Sequence, residues 1–304
     1  MVLREVLQAA SSSDRVESVV RTAGVTRRLM GRYVAGNTAE DAASVAAGLV
    51  ADGLLVTFDH LGEETRHPDE AARAVKASLA LLDGLARRGI AKGADLSLRL
   101  TSVGLHVDEK LAKENAARVC EAAREAGATV TLDIEDAAVI ESALGVHAAL
   151  LEDHPTTGVV IPSSLRLADD HCRALVSGRV RLSRRALDAP ASVAYARPAD
   201  IDRSYVRCLK VLMSGQGHPM VATHDRRLIE VASALAVLNE REPGGFEYQM
   251  SYGVRVAEQR RLADLGSQVR VRIPYGVDWY SHLTRRLAER PANITLLARS
   301  LVRR

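Results

Sequence analysis

The sequence is poor in aromatic residues: among 304 positions there are two phenylalanines and one tryptophan, and aromatics make up 3%. Cysteine occurs three times, as Cys120, Cys172 and Cys208, with no CxxC pair. That spacing argues against a disulfide framework or a structural zinc site and fits free thiols in a reducing cytoplasm. Lysine is scarce as well, at positions 76, 92, 110, 113 and 210 alone, so nearly all of the 41 basic residues are arginines. No apolar run approaches the roughly 20 residues of a bilayer span, and the first residues lack the apolar core of a signal peptide. A net charge of +3 is too small to imply an extensive nucleic-acid surface. HxH and HExxH spacings are missing, which argues against a metal site. What is present, 47% hydrophobic and 26% charged residues, is enough for a folded chain with a full core.

Short β-rich runs recur along the chain: 54–60 (LLVTFDH), 96–101 (LSLRLT), 129–135 (TVTLDIE), 158–163 (GVVIPS), 180–186 (VRLSRRA), 220–224 (MVATH), 246–251 (FEYQMS) and 269–274 (VRVRIP). Most are bounded by Gly, Pro, Asp or Ser, as strands are. Helical periodicity fills the intervals at 38–51, 69–87, 108–126, 136–152, 197–213, 225–239 and 258–265, and more weakly at 168–176. Parallel strands need crossovers of a dozen or more residues, and eight such units over about 250 residues make a (βα)8 barrel of the TIM type. A doubly wound open sheet is the alternative, but no GxGxxG follows any strand. We therefore expect α/β architecture in a single domain over 1–304, with residues 1–36 as N-terminal helices outside the barrel. Barrel and final helix occupy 54–304, the helix capping the site.

In such barrels chemistry lies at the C-terminal strand ends, and here those ends are polar. Strand one ends in Asp59 and His60, strand two in Arg99 and Thr101, strand three in Asp133 and Glu135. Strand five carries Arg181, Arg184 and Arg185; strand six ends in Thr223 and His224; strand seven holds Glu247 and Gln249; strand eight holds Arg270 and Arg272. Residues two apart share a face, which places Ser97, Arg99 and Thr101 together, and Asp133 with Glu135. The plain alternative is a set of charge pairs outside the barrel.

After strand eight, 278–291 (DWYSHLTRRLAERP) reads as helix. Glu289 stands three and four residues beyond Arg286 and Arg285 and can orient both. Paired arginines held this way suit a carboxylate or phosphate, although a solvated pair on a surface helix has the same spacing. His106, His147, His154 and His171 read as surface or structural. The terminal RSLVRR reads as a solvated tail, with weak contact to acidic lipid on the inner membrane face as the alternative.

That C-terminal stretch, 276–293 (GVDWYSHLTRRLAERPAN), resembles the proline dehydrogenase family, as do RYVAG at 32–36, FDHLGE at 58–63, LDIED at 132–136, ATHD at 222–225 and FEYQMSYG at 246–253. PASVAY at 190–195 and DRSYVRCLKVLM at 202–213 extend the match over nearly the whole chain, in the manner of the monofunctional bacterial type. The resemblance implies a distorted (βα)8 barrel binding FAD, and an amino-acid substrate whose carboxylate is held by Arg285 and Arg286, supported by Glu289. Hydride passes from the carbon beside the nitrogen to the flavin, leaving an imine, and a quinone reoxidises the flavin. Asp133 and Arg99 match the family's strand-three aspartate and strand-two lysine. Flavin contacts carried over fall on Arg181, Arg184, Thr223, His224, Glu247 and Gln249.

The departures from the family pattern are grouped. Where the family reads R-L-V-K-G-A-Y, residues 181–187 read RLSRRAL: the lysine is Arg184, the glycine Arg185 and the pocket tyrosine Leu187. Q-A-Y on strand four is replaced by Pro162, Ser163 and Ser164. A pocket leucine is Ser251, the strand-eight tyrosine Arg272, and the tyrosine before the arginine pair His282. These changes imply a more polar, carboxylate-bearing amine than proline as substrate. The alternative is a relative that has lost the flavin and acts as a non-flavin enzyme on an anionic substrate, or as a non-catalytic binding protein.

Overall fold

A computed structural model describes residues 31–279 except 63 and 135. The proposed N-terminal helices before residue 31 and the final helix with His282, Arg285, Arg286 and Glu289 lie outside the described residues, as does Glu135.

The described chain alternates as α1 (Ala39–Ala51), β1 (Leu55–His60), α2 (Pro68–Arg87), β2 (Asp95–Arg99), α3 (Glu109–Ala126), β3 (Thr129–Asp133), α4 (Ile140–Leu150) and β4 (Gly158–Pro162). It continues as α5 (Ala168–Ala174), β5 (Arg179–Ser183), α6 (Pro198–Ser214), β6 (His218–Ala222), α7 (Arg226–Leu238), β7 (Glu247–Ser251), α8 (Val256–Asp264) and β8 (Val269–Tyr275). Every strand is parallel to the next and β8 pairs with β1, so the sheet closes into an eight-stranded barrel. No described helix is long and apolar enough to cross a membrane.

Local chemistry sets the helix limits. Thr38 and Asp41 form a reciprocal capping box on α1, and the Asp108 carboxylate accepts from Leu111 N at the start of α3. Gly127 ends α3 in the left-handed region, which glycine enters without a side-chain clash. The outward residues of the strands, among them Val130, Leu132, Val159, Ile161, Val180 and Leu182, are buried against helix residues such as Val119, Cys208 and Leu212. This annulus is the apolar core. Burial of such side chains contributes about 1.5–3 kcal/mol each, so the ring between strands and helices carries most of the fold's stability. All three cysteines are free and buried there, and burial pushes the Cys120 thiol up to about 11.

At the N-terminal end of the barrel one residue ties several loops together. Arg241, just past α7, donates to the carbonyls of Leu212 (2.7 Å), Met213 (2.9 Å), Gly215 (2.7 Å), Gly217 (2.8 Å) and Gly245 (3.0 Å). The last carbonyls of α6 have no partner within their own helix, and this guanidinium supplies one. At the opposite end, residues 32–36 run beside the exit of β8: Ala35 N donates to Pro274 O (2.8 Å) and Gly276 N to Gly36 O (3.0 Å). Two glycines make that crossing possible. A Cβ at Gly253 (φ +71) would collide with the Arg32 carbonyl oxygen, and one at Gly276 (φ +129) would come within 2.6 Å of the Leu61 carbonyl oxygen.

Several strand limits differ from the sequence reading. Strand β2 stops at Arg99, and Thr101 sits instead in a short 3-10 turn (Leu100–Val103), where its carbonyl accepts from Thr65. Strand β5 stops at Ser183, so Arg184 and Arg185 belong to the loop that leaves the barrel, and β6 stops at Ala222, before Thr223 and His224.

Candidate active site at the mouth of the barrel

The charges on the strands stand inside the barrel, against the plain alternative of pairs outside it. Inward positions of the strands carry Thr57, Asp59, Asp95, Ser97, Thr131, Asp133, Arg181, Glu247, Gln249, Arg270 and Arg272, where barrel interiors usually hold branched apolar side chains. They fall into two levels. The lower one is a closed polar frame. Arg181 reaches across the lumen from β5 to β2, with Nη2 2.8 Å from Asp95 Oδ2 and Nη1 3.0 Å from Ser97 Oγ. Asp95 also accepts from the hydroxyls of Thr57 (3.1 Å), Thr129 (2.8 Å) and Thr131 (2.9 Å). On the other side, Arg270 grips Glu247 through Nε (2.7 Å) and Nη2 (2.9 Å), while its Nη1 donates to Val56 O and Gly93 O, each at 2.9 Å. Gln249 Nε2 donates to Glu247 Oε1 at 2.5 Å. Burial raises the Glu247 carboxyl, but Arg270 and the hydrogen bonds from His218, Arg270 and Gln249 outweigh it and hold the group well below the carboxylate range.

The upper level lies at the C-terminal ends of β1, β3 and β8. Asp133 accepts from Arg272 Nη2 at 2.7 Å and from Arg185 Nη1 at 3.2 Å, and Arg272 Nη2 also lies 2.9 Å from Asp59 Oδ2. Arg185 fixes itself further on the Ile134 carbonyl at 3.0 Å. Burial pushes the Asp133 carboxyl up, and the fields of Arg185, Arg272, Arg181 and Arg99 together bring it far down, so it is ionised. Arg99 donates to the carbonyls of Gly62 (3.1 Å) and His60, bracing the loop after β1. The His60 imidazole packs at a tilt against Tyr275, with ring centroids 5.1 Å apart. Burial, then the nearby Arg99 charge, lowers its basicity, against the opposing fields of Asp59 and Asp278.

The remaining predicted groups do not converge there. Arg184 turns away from the lumen to Asp202 on α6. Thr223 Oγ1 accepts from Asp225 N (3.1 Å), and His224 Nε2 accepts from Ser251 N (2.9 Å), which joins the ends of β6 and β7. Leu187 is half-buried against the core. Pro162 ends β4, and just beyond it Ser164 is fully buried with a hydroxyl that has no partner among the described residues. The same holds for the hydroxyl of Ser183 at the end of the neighbouring β5. No group of three or more metal-ligating side chains occurs among the described residues.

A family sequence model described as proline dehydrogenase matches residues 42–172 and 182–299. The chain belongs to the proline dehydrogenase family. It is similar to proline dehydrogenase 1 of Bacillus subtilis (strain 168), 30% identical over 305 residues that cover 100% of both chains. It is also similar to proline dehydrogenase of Deinococcus radiodurans, 32% identical over 279 residues, or 90% of this chain and 89% of that one. Among solved structures, proline utilization A from Bdellovibrio bacteriovorus, inactivated by N-propargylglycine, superposes with a TM-score of 0.79 at 21% identity. The match covers 86% of this chain and 32% of that chain, and shows a shared barrel.

Membership in the proline dehydrogenase family makes the local arrangement more telling. Of the residues carried over as flavin contacts, Arg181, Glu247 and Gln249 are bonded to Asp95, Ser97, Arg270 or each other within the lumen. Asp133 and Arg272, assigned to different roles by resemblance, meet in one ion-pair cluster. Sequence reasoning named Asp59 and Ser164 without giving either a role, and passed over Ser183. Asp59 had a usable signal, since it keeps the inward parity of Thr57 along β1.

Proposed function

We propose that this protein is a flavin-dependent oxidoreductase of the proline dehydrogenase type, which oxidises a carboxylate-bearing amine to an imine. The observation that carries this reading is a buried, ionised Asp133 at the C-terminal mouth of a closed barrel whose chain belongs to that family.

The residues present fit FAD at the ends of β4, β5 and β6. Ser164 and Ser183 offer buried hydroxyls with no partner among the described residues, and leaving such a group unmet costs about 1–3 kcal/mol. A ligand with acceptor atoms would meet both. Together with Thr223 and His224 at the neighbouring rim, they are the groups that would hold the cofactor. FAD, when bound, accepts the hydride and thereby supplies the redox step.

The protein's part is binding, orientation and charge. By family resemblance Arg285 and Arg286, with Glu289, take the substrate carboxylate. Asp133 is too acidic to accept a proton at neutral pH and serves as a positioning group for Arg185 and Arg272. Oxidation of an amine removes a hydride from carbon and a proton from nitrogen. Asp133 is held ionised and His60 lies on the outward parity of β1, so that proton passes to solvent. Electrons then leave to an acceptor such as a quinone, and the reaction belongs to amino-acid metabolism.

A second reading rests on Arg185 and Pro162. The arginine lies across the mouth to Asp133 where the family carries glycine, and proline takes a backbone donor out of the end of β4. Both favour a flavin-free protein that binds an anion. Absorbance of the purified protein decides between the two. Yellow protein, bleached anaerobically by an amino acid, supports the first reading; colourless protein that FAD cannot reconstitute sinks it.

A further inference from the structure

Two of the three cysteines form a pair outside the barrel lumen. Cys172 lies on α5 and Cys208 on α6, helices that pack on each other and on β4 and β5. Both side chains are fully buried, and their thiols hydrogen-bond to one another across the helix interface. Cys120 on α3 is the contrast, since its sulfur meets the Thr157 hydroxyl at 3.6 Å. The pair is asymmetric. The bond from Cys172, the Ser204 hydroxyl 4.0 Å from the Cys208 sulfur and the charge of Arg207 all favour a thiolate at Cys208. They hold that thiol below its ordinary range, against burial and the field of Asp169. The same bond, burial and the fields of Cys208 and Asp169 push the Cys172 thiol up. A thiolate is the nucleophilic form of cysteine, so Cys208 is set to attack and Cys172 to resolve.

Tyr205 supplies a second observation. It precedes Cys208 by three residues, which puts both on one face of α6. Its side chain is fully buried, and its hydroxyl has no partner among the described residues. Burial, then the fields of Cys208 and Cys172, push this phenol up, so it keeps its proton and is a donor beside the pair. A buried donor left unmet is costly, and an oxygen atom delivered to Cys208 would meet it. Access comes from α5. With seven residues it is the shortest of α1–α8, and Leu167 at its start provides no side-chain cap. So short a helix depends on its packing, and such elements open locally ahead of the whole fold, which admits a small reagent.

We propose that Cys172 and Cys208 are a hydroperoxide-reactive dithiol, which closes to a disulfide and reopens under a thiol reductant. This chemistry needs no flavin and lies outside the mouth. The Cys208 sulfur attacks one oxygen of the hydroperoxide and the O–O bond breaks. The other oxygen leaves with the proton of that thiol, as an alcohol or, from hydrogen peroxide, as water. Cys208 is then a sulfenic acid, to whose oxygen Tyr205 donates. The Cys172 sulfur displaces that oxygen: an S–S bond forms, the S–O bond breaks, and water leaves with the Cys172 proton. Two electrons pass from the thiols to the peroxide. Two thiols and one hydroperoxide thus give one disulfide, one alcohol and one water. The bridge closes the chain from 172 to 208 into a ring that contains β5 and the loop delivering Arg185 to Asp133.

The test is a hydrogen peroxide titration of the reduced full chain, with thiols counted after denaturation and bridges located by mass spectrometry of tryptic peptides. Stoichiometric peroxide should lower the count from three thiols to one, link the peptides of Cys172 and Cys208, and leave Cys120 free. Dithiothreitol should restore all three. Cys172→Ser should stop at a sulfenic acid on Cys208, trapped by dimedone, and Tyr205→Phe should slow closure at least about threefold. The parent protein carries the test where a variant fails to fold. Three thiols surviving excess peroxide overturn the proposal, as does oxidation of Cys120 ahead of the pair, or a bridge that forms only between chains. An unchanged rate in Tyr205→Phe overturns the part given to the tyrosine.

Discussion

The two levels of the barrel lumen are built from the same residue types and do different work. In the lower level both partners are sealed: the Arg181 side chain is 2% exposed and that of Asp95 0%. In the upper level Asp133 is equally sealed, but its arginine partners are 25% (Arg185) and 22% (Arg272) exposed. A frame with both ends buried can only hold strands together. One with a buried carboxylate and half-open guanidinium groups holds strands and also faces outward to a ligand. Depth along the barrel, more than residue identity, separates structure from site.

Breaking the lower frame is expected to have the largest effect. Glu247→Ala leaves Arg270 as an uncompensated buried charge, and such losses run to about 3–5 kcal/mol. Urea denaturation should show it as a lower midpoint with an unchanged slope. A midpoint within a few tenths of a molar of the parent would mean that the frame is ornamental. The effect of acid comes next. Asp95, Asp133 and Glu247 all have folded-state pKa values below their ordinary ones, because arginines outweigh burial. Carboxyls shifted this way contribute stability above the unfolded value of about 4, and that contribution drains away as pH falls. Melting temperature should therefore hold from neutrality to about pH 5 and drop steeply below pH 4, with Glu247→Gln flattening the acid limb. The smallest effect belongs to the mouth. Arg185→Gly removes a partly exposed partner from a loop and should change stability by about 1 kcal/mol or less, while Asp133 keeps Arg272. A loss as large as that for Glu247→Ala would erase the distinction between the levels.

Much of the barrel was legible because its signal is local. Runs such as TVTLD and helix starts such as Asp108 carry their own periodicity and caps, and eight of them in alternation leave few architectures. Inward parity was legible too, which is why Ser97 with Arg99 could be put on one face. What could not be read is where inward charges end. Arg181 and Asp95 are 86 residues apart in the chain and meet only because the barrel closes. Arg184 and Arg185 are neighbours, yet one turns out to Asp202 and the other in to Asp133. That choice is made by the loop after β5, whose geometry has no periodic signature. Pairing outside the barrel was the plain alternative, and its location inside follows from closure.

The crossing of residues 32–36 over the end of β8 gives the mouth a dependence on places that no ligand reaches. The segment entering the barrel and the strand leaving it towards the final helix are bonded to each other, and both pass over glycines with no room for a methyl group. Positions 253 and 276 are thus set screws for the angle at which the chain departs from the barrel. A search for altered ligand preference that samples the whole gene should return them beside the arginines, as changes in affinity with no chemistry of their own.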